Sequence, residues 1–168
     1  MGQIHIMRVA IAGSPKAGKT TYTETLPGIV KHTDDLIELG WSEASEAASL
    51  WFDDYEIDVI EGVAVPRALR KWLERNKENT NKPIDKVFYF YEPFIELSDG
   101  QDRMRKGNVT VWKQVKKDLE QRGVIIQEYH DNNRLAGELD PLDVNVNEAL
   151  PVSCRAVSGC VARYGQAT

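Results

Sequence analysis

A chain of 168 residues has room for one domain with a sizeable hydrophobic core and little room for a second. Its 42% hydrophobic and 28% charged residues are typical of a soluble globular protein, and no apolar run approaches the ~20 residues that span a bilayer. The net charge of −5 argues against a surface built to coat nucleic acid.

The two ends of the chain predict neither export nor a metal or disulfide site. Residues 1–5 lack the basic flank and long apolar region of a signal peptide, so we expect a cytoplasmic protein with no membrane partner. Cys154 and Cys160 are the only cysteines, and none of the three histidines lies at a metal-ligand spacing from them. In a reducing compartment, we therefore expect two ordinary thiols.

The chain begins with a pattern of strand, helix and strand. The apolar run MRVAIA at 7–12 suits a buried parallel strand. A helix is expected to begin within the run GKTTYTETL and to end at Leu26, because the following Pro27-Gly28 breaks helices. Residues 29–32 then predict a brief second strand.

A second helix and strand follow. Residues 42–52 are rich in helix formers, with Ser42 as the expected N-cap. Residues 57–65 predict a third strand. Pro66 then lies where helices favour proline, at the first helical position, and Ala68, Leu69, Trp72 and Leu73 recur at helical spacing after it.

The last predicted elements are strands at 86–91 and 123–129, which flank a helix with an apolar stripe of Trp112, Val115 and Leu119. Alternating strands and helices predict an α/β fold with a five-stranded parallel sheet covered on both faces, a three-layer α/β/α arrangement. We expect residues 1–130 to form this core. The periodicity disappears in the tail at 131–168, for which we predict no structure.

The run GSPKAGKT at 13–20 satisfies G-x-x-x-x-G-K-[ST] and lies between a predicted strand and a predicted helix. In such a loop, backbone N–H groups point at phosphates, the lysine reaches the β- and γ-phosphates, and the last hydroxyl binds Mg²⁺. We therefore predict ATP and Mg²⁺ as cofactors, with Lys19 also catalytic. The expected nucleotide-binding residues are Gly13, Ser14, Pro15, Lys16, Ala17, Gly18, Lys19, Thr20 and Thr21.

This loop is the signature of the P-loop NTPases, and the order of motifs after it resembles the kinase branch, with its three-layer fold. The run His32-Thr33-Asp34-Asp35 is similar to the Asp-Asp corner of phage polynucleotide kinases. The resemblance implies that Asp34 is the general base or orients the acceptor hydroxyl, with Asp35 as its neighbour or substitute. The alternative is that an aspartate caps a helix beginning at Leu36.

Two further residues follow from the same resemblance. P-loop proteins place an acidic residue that contacts Mg²⁺ at the carboxyl end of the third strand, and Glu61 suits this place better than Asp58, which lies further into the strand. Glu61 and Thr20 are therefore the expected metal ligands. Glu61-Gly62 followed by Pro66-Arg67 is similar to the Asp-Gly-x-Pro-Arg run of adenylate-kinase-like enzymes, stretched by two residues. Arg67 would then hold the acceptor or its phosphate. The alternative for Arg67 is a solvated charge.

Residues of about 98–110 resemble the mobile lid of such kinases, which supplies arginines to the transferred phosphoryl group. Arg103 and Arg105 are the expected catalytic residues, with Gly100 and Gly107 as hinges. An exposed basic helix is the alternative. Trp41, just beyond the Asp-Asp corner, is a candidate to stack on an acceptor base, although tryptophan is usually structural.

Together these features predict an ATP-dependent kinase that phosphorylates a hydroxyl. The favoured acceptor is a nucleotide or a nucleic acid, such as 5-hydroxymethyluracil in DNA, which small phage P-loop kinases of similar layout phosphorylate. A gluconate- or shikimate-like metabolite and a nucleoside monophosphate are the alternatives. A P-loop ATPase switch and a non-catalytic scaffold are alternatives of other classes. The sequence leaves the acceptor, the choice between ATP and other nucleotides, and the oligomeric state open.

Overall fold

The computed structural model describes residues 7–130 of the chain. The predictions for the tail at 131–168 and for Cys154 and Cys160 lie outside this part. No helix within 7–130 is long and apolar enough to cross a membrane.

A five-stranded sheet, parallel throughout, forms the centre of the fold, as predicted. Its strand order is β2-β3-β1-β4-β5, so the first strand lies in the middle and is paired on both sides. The strands are β1 Val9–Gly13, β2 Val30–His32, β3 Val59–Glu61, β4 Lys86–Phe90 and β5 Ile125–Tyr129.

Four α-helices connect and flank the strands: α1 Lys19–Thr23, α2 Trp41–Leu50, α3 Val65–Arg75 and α4 Asp99–Gln121. Two 3-10 helices, Thr33–Leu39 and Trp51–Asp53, precede and follow α2. Helix α3 begins one residue earlier than predicted, so Pro66 is its second residue and still lies in the first turn.

Some element boundaries differ from the prediction. The N-cap of α2 is Gly40 rather than Ser42, and no side chain caps this helix. The third strand ends at Glu61, because Gly62 turns the backbone with a φ of 143°. Residues 99–110 belong to the continuous helix α4. Gly100 and Gly107 therefore lie inside a helix and are not the hinges of a separate lid, as had been predicted.

Both faces of the sheet are covered by helices, which is compatible with three layers. On one face, Ala10 of β1 and Tyr89 of β4 belong to a buried cluster that includes side chains of α2, α3 and α4. On the other face, Tyr22 of α1 packs edge-on against Phe88 and Phe90, at ring-centroid distances of 5.7 and 5.8 Å. Strand side chains alternate between the two faces, so each face of the sheet has its own buried apolar cluster.

All five strands run in the same direction, so their carboxyl ends meet at one edge of the sheet. Ligands of open α/β sheets bind outside this edge. Gly13, His32 and Glu61 end β1, β2 and β3 there, and His32 lies directly opposite Glu61 in the strand register. The fold thereby brings the predicted phosphate loop and the acidic residues to one place.

Candidate active site

The loop between β1 and α1 has the backbone conformation that its glycines predict. Gly13 and Gly18 have φ values of 136° and 74°, and Lys16 also adopts a positive φ of 57°. A Cβ at Gly13 would collide with the carbonyl of Phe90, and one at Gly18 would lie 2.6 Å from the ring of Phe94. Alternation of left- and right-handed backbone is the geometry that turns successive N–H groups toward an anion.

Residues outside the loop hold it in place. Ser14 N–H donates to the carbonyl of Phe90, and Phe94 N–H donates to the carbonyl of Lys16, both at 2.8 Å. The buried side chain of Asn108 on α4 donates its Nδ2 to the carbonyl of Gly13 at 3.1 Å. The loop is therefore fixed by the segment after β4 and by α4.

The sequence analysis missed Asn108 and Phe94. Asn108 lies four residues before Trp112, on the helical stripe that continues through Val115 and Leu119. A polar residue on an apolar stripe is a detectable signal for a buried hydrogen bond. Phe94 carries no such signal, because its neighbours form no regular pattern.

Lys19 is buried, and its Nζ donates to the carbonyl of Ser14 at 2.5 Å. Burial lowers the pKa of Lys19 to about 8, although the nearby carboxylates of Glu61 and Asp34 oppose this shift. The ammonium group of a lysine in this position lies close to the loop backbone, where it can bind phosphate oxygens.

Glu61 is a buried carboxylate, only 2% exposed, at the end of β3. One of its oxygens lies 2.8 Å from Nδ1 of His32 on the neighbouring strand. The sequence analysis treated His32 only as part of a strand, although a histidine at a strand end beside an acidic one is a recognisable pair. The imidazole restricts the orientation of the carboxylate, as partners of metal ligands do.

The predicted phosphate loop, Asp34 and Glu61 line one cavity of about 440 Å³. Its other walls include Trp41, Val63 and two residues of α4, Gln101 and Met104. Thr20 lines the same cavity, so the two predicted metal ligands, Thr20 and Glu61, share one space. Within 7–130, no group of three or more His, Cys, Asp or Glu is arranged to hold a metal ion. This donor set suits Mg²⁺, which binds proteins through few side chains together with phosphate oxygens and water.

The two aspartates of the predicted corner differ in position. Both lie in the first turn of the 3-10 helix Thr33–Leu39, whose N-cap is His32 and which has no side-chain capping hydrogen bond. Neither aspartate therefore serves as the cap that the alternative interpretation required. Asp34 lines the cavity, whereas Asp35 does not.

Arg67 and Trp41 lie next to each other. The guanidinium carbon of Arg67 is 5.2 Å from the centre of a Trp41 ring, a cation–π arrangement. Arg67 makes no hydrogen bond or ion pair with any residue of the described part of the chain. A Cβ at Gly107 would lie 3.4 Å from Nη2 of Arg67, so the arginine reaches from α3 to α4.

Arg103 and Arg105 do not line the cavity with the phosphate loop. Arg105 donates to the carboxylate of Asp102 at 3.0 Å, and Arg103 donates to the carbonyl of Asp99 at 3.3 Å. A capping box between Ser98 and Gln101 begins α4, and the helix turns Gln101 and Met104 toward the cavity instead. The structure thus separates these two arginines from the other predicted catalytic residues.

Comparisons of the chain with known protein families, with curated proteins and with solved structures found no match. What the cavity does must therefore be inferred from its own residues.

Proposed function

We propose that the protein is a P-loop kinase that transfers the γ-phosphoryl group of ATP to a hydroxyl. The observation on which the proposal rests is that Lys19, Thr20, Glu61 and Asp34 line one cavity. A nucleotide-binding module needs the first two residues. A kinase also needs a carboxylate in the same cavity that can contact the acceptor hydroxyl.

The loop residues bind the triphosphate in this proposal. The backbone N–H groups of 16–20 and the ammonium of Lys19 contact its oxygens. Thr20 and Glu61 would hold Mg²⁺, and His32 orients Glu61. The bound Mg²⁺ supplies neutralisation of the phosphate charge.

Asp34 accepts the proton of the acceptor hydroxyl. As the acceptor oxygen forms its bond to the γ-phosphorus, the bond from that phosphorus to the bridging oxygen breaks and ADP leaves with the electron pair. Asp35 substitutes only if the 3-10 helix rotates. Arg103 and Arg105 reach the phosphoryl group only after they leave Asp99 and Asp102, whereas Arg67 has no ionic partner among residues 7–130.

The acceptor belongs to the nucleotides or nucleic acids in this proposal, and the protein acts in the cytoplasm. A purely hydrolytic ATPase would use the same phosphate loop. It would transfer the γ-phosphate to water with every acceptor offered.

The test is incubation with γ-labelled ATP and Mg²⁺ and a panel of nucleosides, nucleotides, sugars, sugar acids and natural or hydroxymethylated DNA. Lys19→Ala should lower transfer by at least about 10²-fold, because it removes a charge that stabilises the transition state. Lys31→Ala, which removes an exposed lysine of β2, is the matched control. Asp34→Asn should lower kcat by about 10²- to 10⁴-fold with little change in the KM for ATP.

Asp35→Asn is the matched control for Asp34 and should retain most of the activity. If Asp35→Asn fails and Asp34→Asn does not, the roles of the two aspartates are reversed. If label moves only to water, the kinase proposal is wrong.

A further inference from the structure

Helix α4 contributes two uncharged side chains, Gln101 and Met104, to the cavity of about 440 Å³ that the predicted phosphate loop lines (the phosphate cavity). Outside the loop, Gln101 and Trp41 are the only described lining residues whose side chains carry N–H donors. The amide of Gln101 carries two donor hydrogens on one nitrogen. Gln101 therefore brings a neutral donor group from α4 to the space that Lys19 also lines.

A capping box determines which end of the Gln101 amide is available. The backbone N–H of Ser98 donates to Oε1 of Gln101 at 3.1 Å, and the backbone N–H of Gln101 donates to Oγ of Ser98 at 3.3 Å. Within residues 7–130, Nε2 of Gln101 donates to no acceptor. The side chain is half-buried, so its orientation is fixed at the oxygen while its nitrogen lacks a partner.

The charged side chains that line the phosphate cavity balance one another. Lys16 and Lys19 are cationic, whereas Asp34 and Glu61 are anionic. A triphosphate brings several negative charges and many acceptor oxygens into this space, and each oxygen that loses its hydration needs a donor. An amide N–H forms a charge-assisted hydrogen bond with an ionised phosphate oxygen. The free nitrogen of Gln101 thus matches a ligand that the loop is also suited to bind.

We propose that Gln101 is a nucleotide-binding residue whose Nε2 donates to a phosphate oxygen of bound ATP. This inference rests on the proposed kinase function, in which ATP occupies the phosphate cavity. Because Ser98 holds Oε1, the amide is oriented before ATP arrives, and little side-chain freedom is lost on binding. One glutamine thus serves both to begin α4 and to bind the nucleotide.

The two roles of Gln101 can be separated by substitution. A capping box accepts either glutamate or glutamine at this position, so Gln101→Glu keeps an acceptor for Ser98. The variant removes both amide donors and places a negative charge beside the phosphates. Its affinity for ATP should fall by at least about 10-fold, whereas its midpoint of urea unfolding should be unchanged. Calorimetric titration with ATP and Mg²⁺ measures the affinity.

A second substitution separates the lost hydrogen bond from the added charge. Gln101→Met has a side chain of similar length without charge or donor. Its affinity for ATP should fall by at least about 5-fold, because the phosphate oxygen loses its donor. An affinity equal to that of the wild type in Gln101→Met would attribute the effect of Gln101→Glu to repulsion alone and would overturn the inference.

Two control variants test the position and the cap. Gln114→Glu makes the same change at an exposed site of α4, about 20 Å further along the helix, and should leave ATP affinity unchanged. Ser98→Ala removes the hydroxyl of the cap but keeps the backbone N–H that holds Oε1. The midpoint of urea unfolding should therefore fall, while ATP affinity should change by less than about 2-fold. An equal loss of affinity in Ser98→Ala and Gln101→Glu would assign the effect to the start of the helix and overturn the inference.

Transfer of label from γ-labelled ATP distinguishes this inference from the kinase proposal. If the wild type phosphorylates an acceptor and both Gln101 variants retain its KM for ATP, the inference is wrong and the kinase proposal stands. If label moves only to water while the variants bind ATP as weakly as expected, the kinase proposal is wrong and the role of Gln101 stands. A wild-type protein that binds no ATP would overturn both.

Discussion

At the scale of single residues, the state of Lys19 is the most informative feature of the site. Its ammonium is 5% exposed and bonded to the carbonyl of Ser14, and it lies near the carboxylates of Glu61 and Asp34. Burial disfavours the charged form, and the two carboxylates only partly compensate. A bound triphosphate would add negative charge beside the same nitrogen and favour the ammonium.

This leads to a pH-dependent prediction for nucleotide binding. Since burial lowers the pKa of Lys19 to about 8, the free protein loses this charge as the pH rises above that value. ATP affinity should therefore fall about 5-fold between pH 8 and pH 9, with net uptake of protons on binding. Calorimetry in two buffers with different ionisation enthalpies measures that uptake. Lys19→Met should bind more weakly and lose the uptake; unchanged uptake in this variant would refute the assignment.

At the scale of elements, α4 links the site to the edge of the sheet. Asn108 attaches its first half to the carbonyl of Gly13. Its second half is attached to β5 through Glu128, which accepts hydrogen bonds from Trp112 at 2.8 Å and from Lys116 at 2.6 Å. Tyr91, just after β4, donates to the same carboxylate at 2.6 Å. Since these contacts lie on two consecutive halves of one helix, they fix both its position and its rotation.

The carboxylate of Glu128 should contribute to stability in a pH-dependent manner. Burial alone raises its pKa, but hydrogen bonds from Lys116, Tyr91 and Trp112 outweigh burial and lower it overall. The stabilisation is therefore present at neutral pH and lost as the pH falls through the folded pKa. Glu128→Gln should cost about 1–3 kcal/mol at pH 7 and less at pH 4, by urea unfolding.

Glu120→Gln, which changes an exposed glutamate of α4, should leave stability nearly unchanged. A loss for Glu128→Gln that is equally large at pH 4 and pH 7 would show that the effect is not due to the charge.

At the scale of the whole molecule, the candidate site and a buried arginine that stabilises the fold lie at opposite ends of the strands. Arg8 precedes β1 and is only 5% exposed. Its guanidinium donates to five backbone carbonyls from the segments before β3 and β4, and Asp85 accepts from its backbone N–H at 2.8 Å. The five carbonyls belong to Trp51, Phe52, Asp54, Ile57 and Pro83. One side chain thus joins the three segments that precede β1, β3 and β4, at the amino ends of the strands.

Arg8→Met should destabilise the protein without altering the site. The variant leaves several buried carbonyls without donors, so the free energy of unfolding should fall by about 3–5 kcal/mol. ATP affinity at low temperature should remain unchanged, because the phosphate loop lies at the carboxyl ends of the strands. Urea unfolding and ATP titration measure the two effects separately. Lys77→Met is the surface control; an equal loss in that variant would contradict the role of Arg8.

The parts of the fold that could be predicted are those encoded by local patterns. The runs at 7–12 and 86–91 indicate buried strands because each is apolar over the length of a strand. The loop at 13–20 is recognisable because its glycines and lysine meet a backbone requirement within eight residues. Asp34 and Glu61 could be proposed because the runs that contain them resemble motifs of P-loop kinases, which place acidic residues near the carboxyl ends of strands.

By itself, the sequence determined the number and direction of the strands and the position of the glycine-rich loop at 13–20, since these depend on residues close together in the chain. Only the tertiary structure decided which side chains face the cavity. Asp34 faces it and Asp35 does not, and α4 directs Met104 inward rather than Arg103 or Arg105. The physical reason is that the rotation of a helix depends on its capping box and on distant contacts such as Asn108 with Gly13. Those contacts join residues far apart in the chain, so no local pattern contains them.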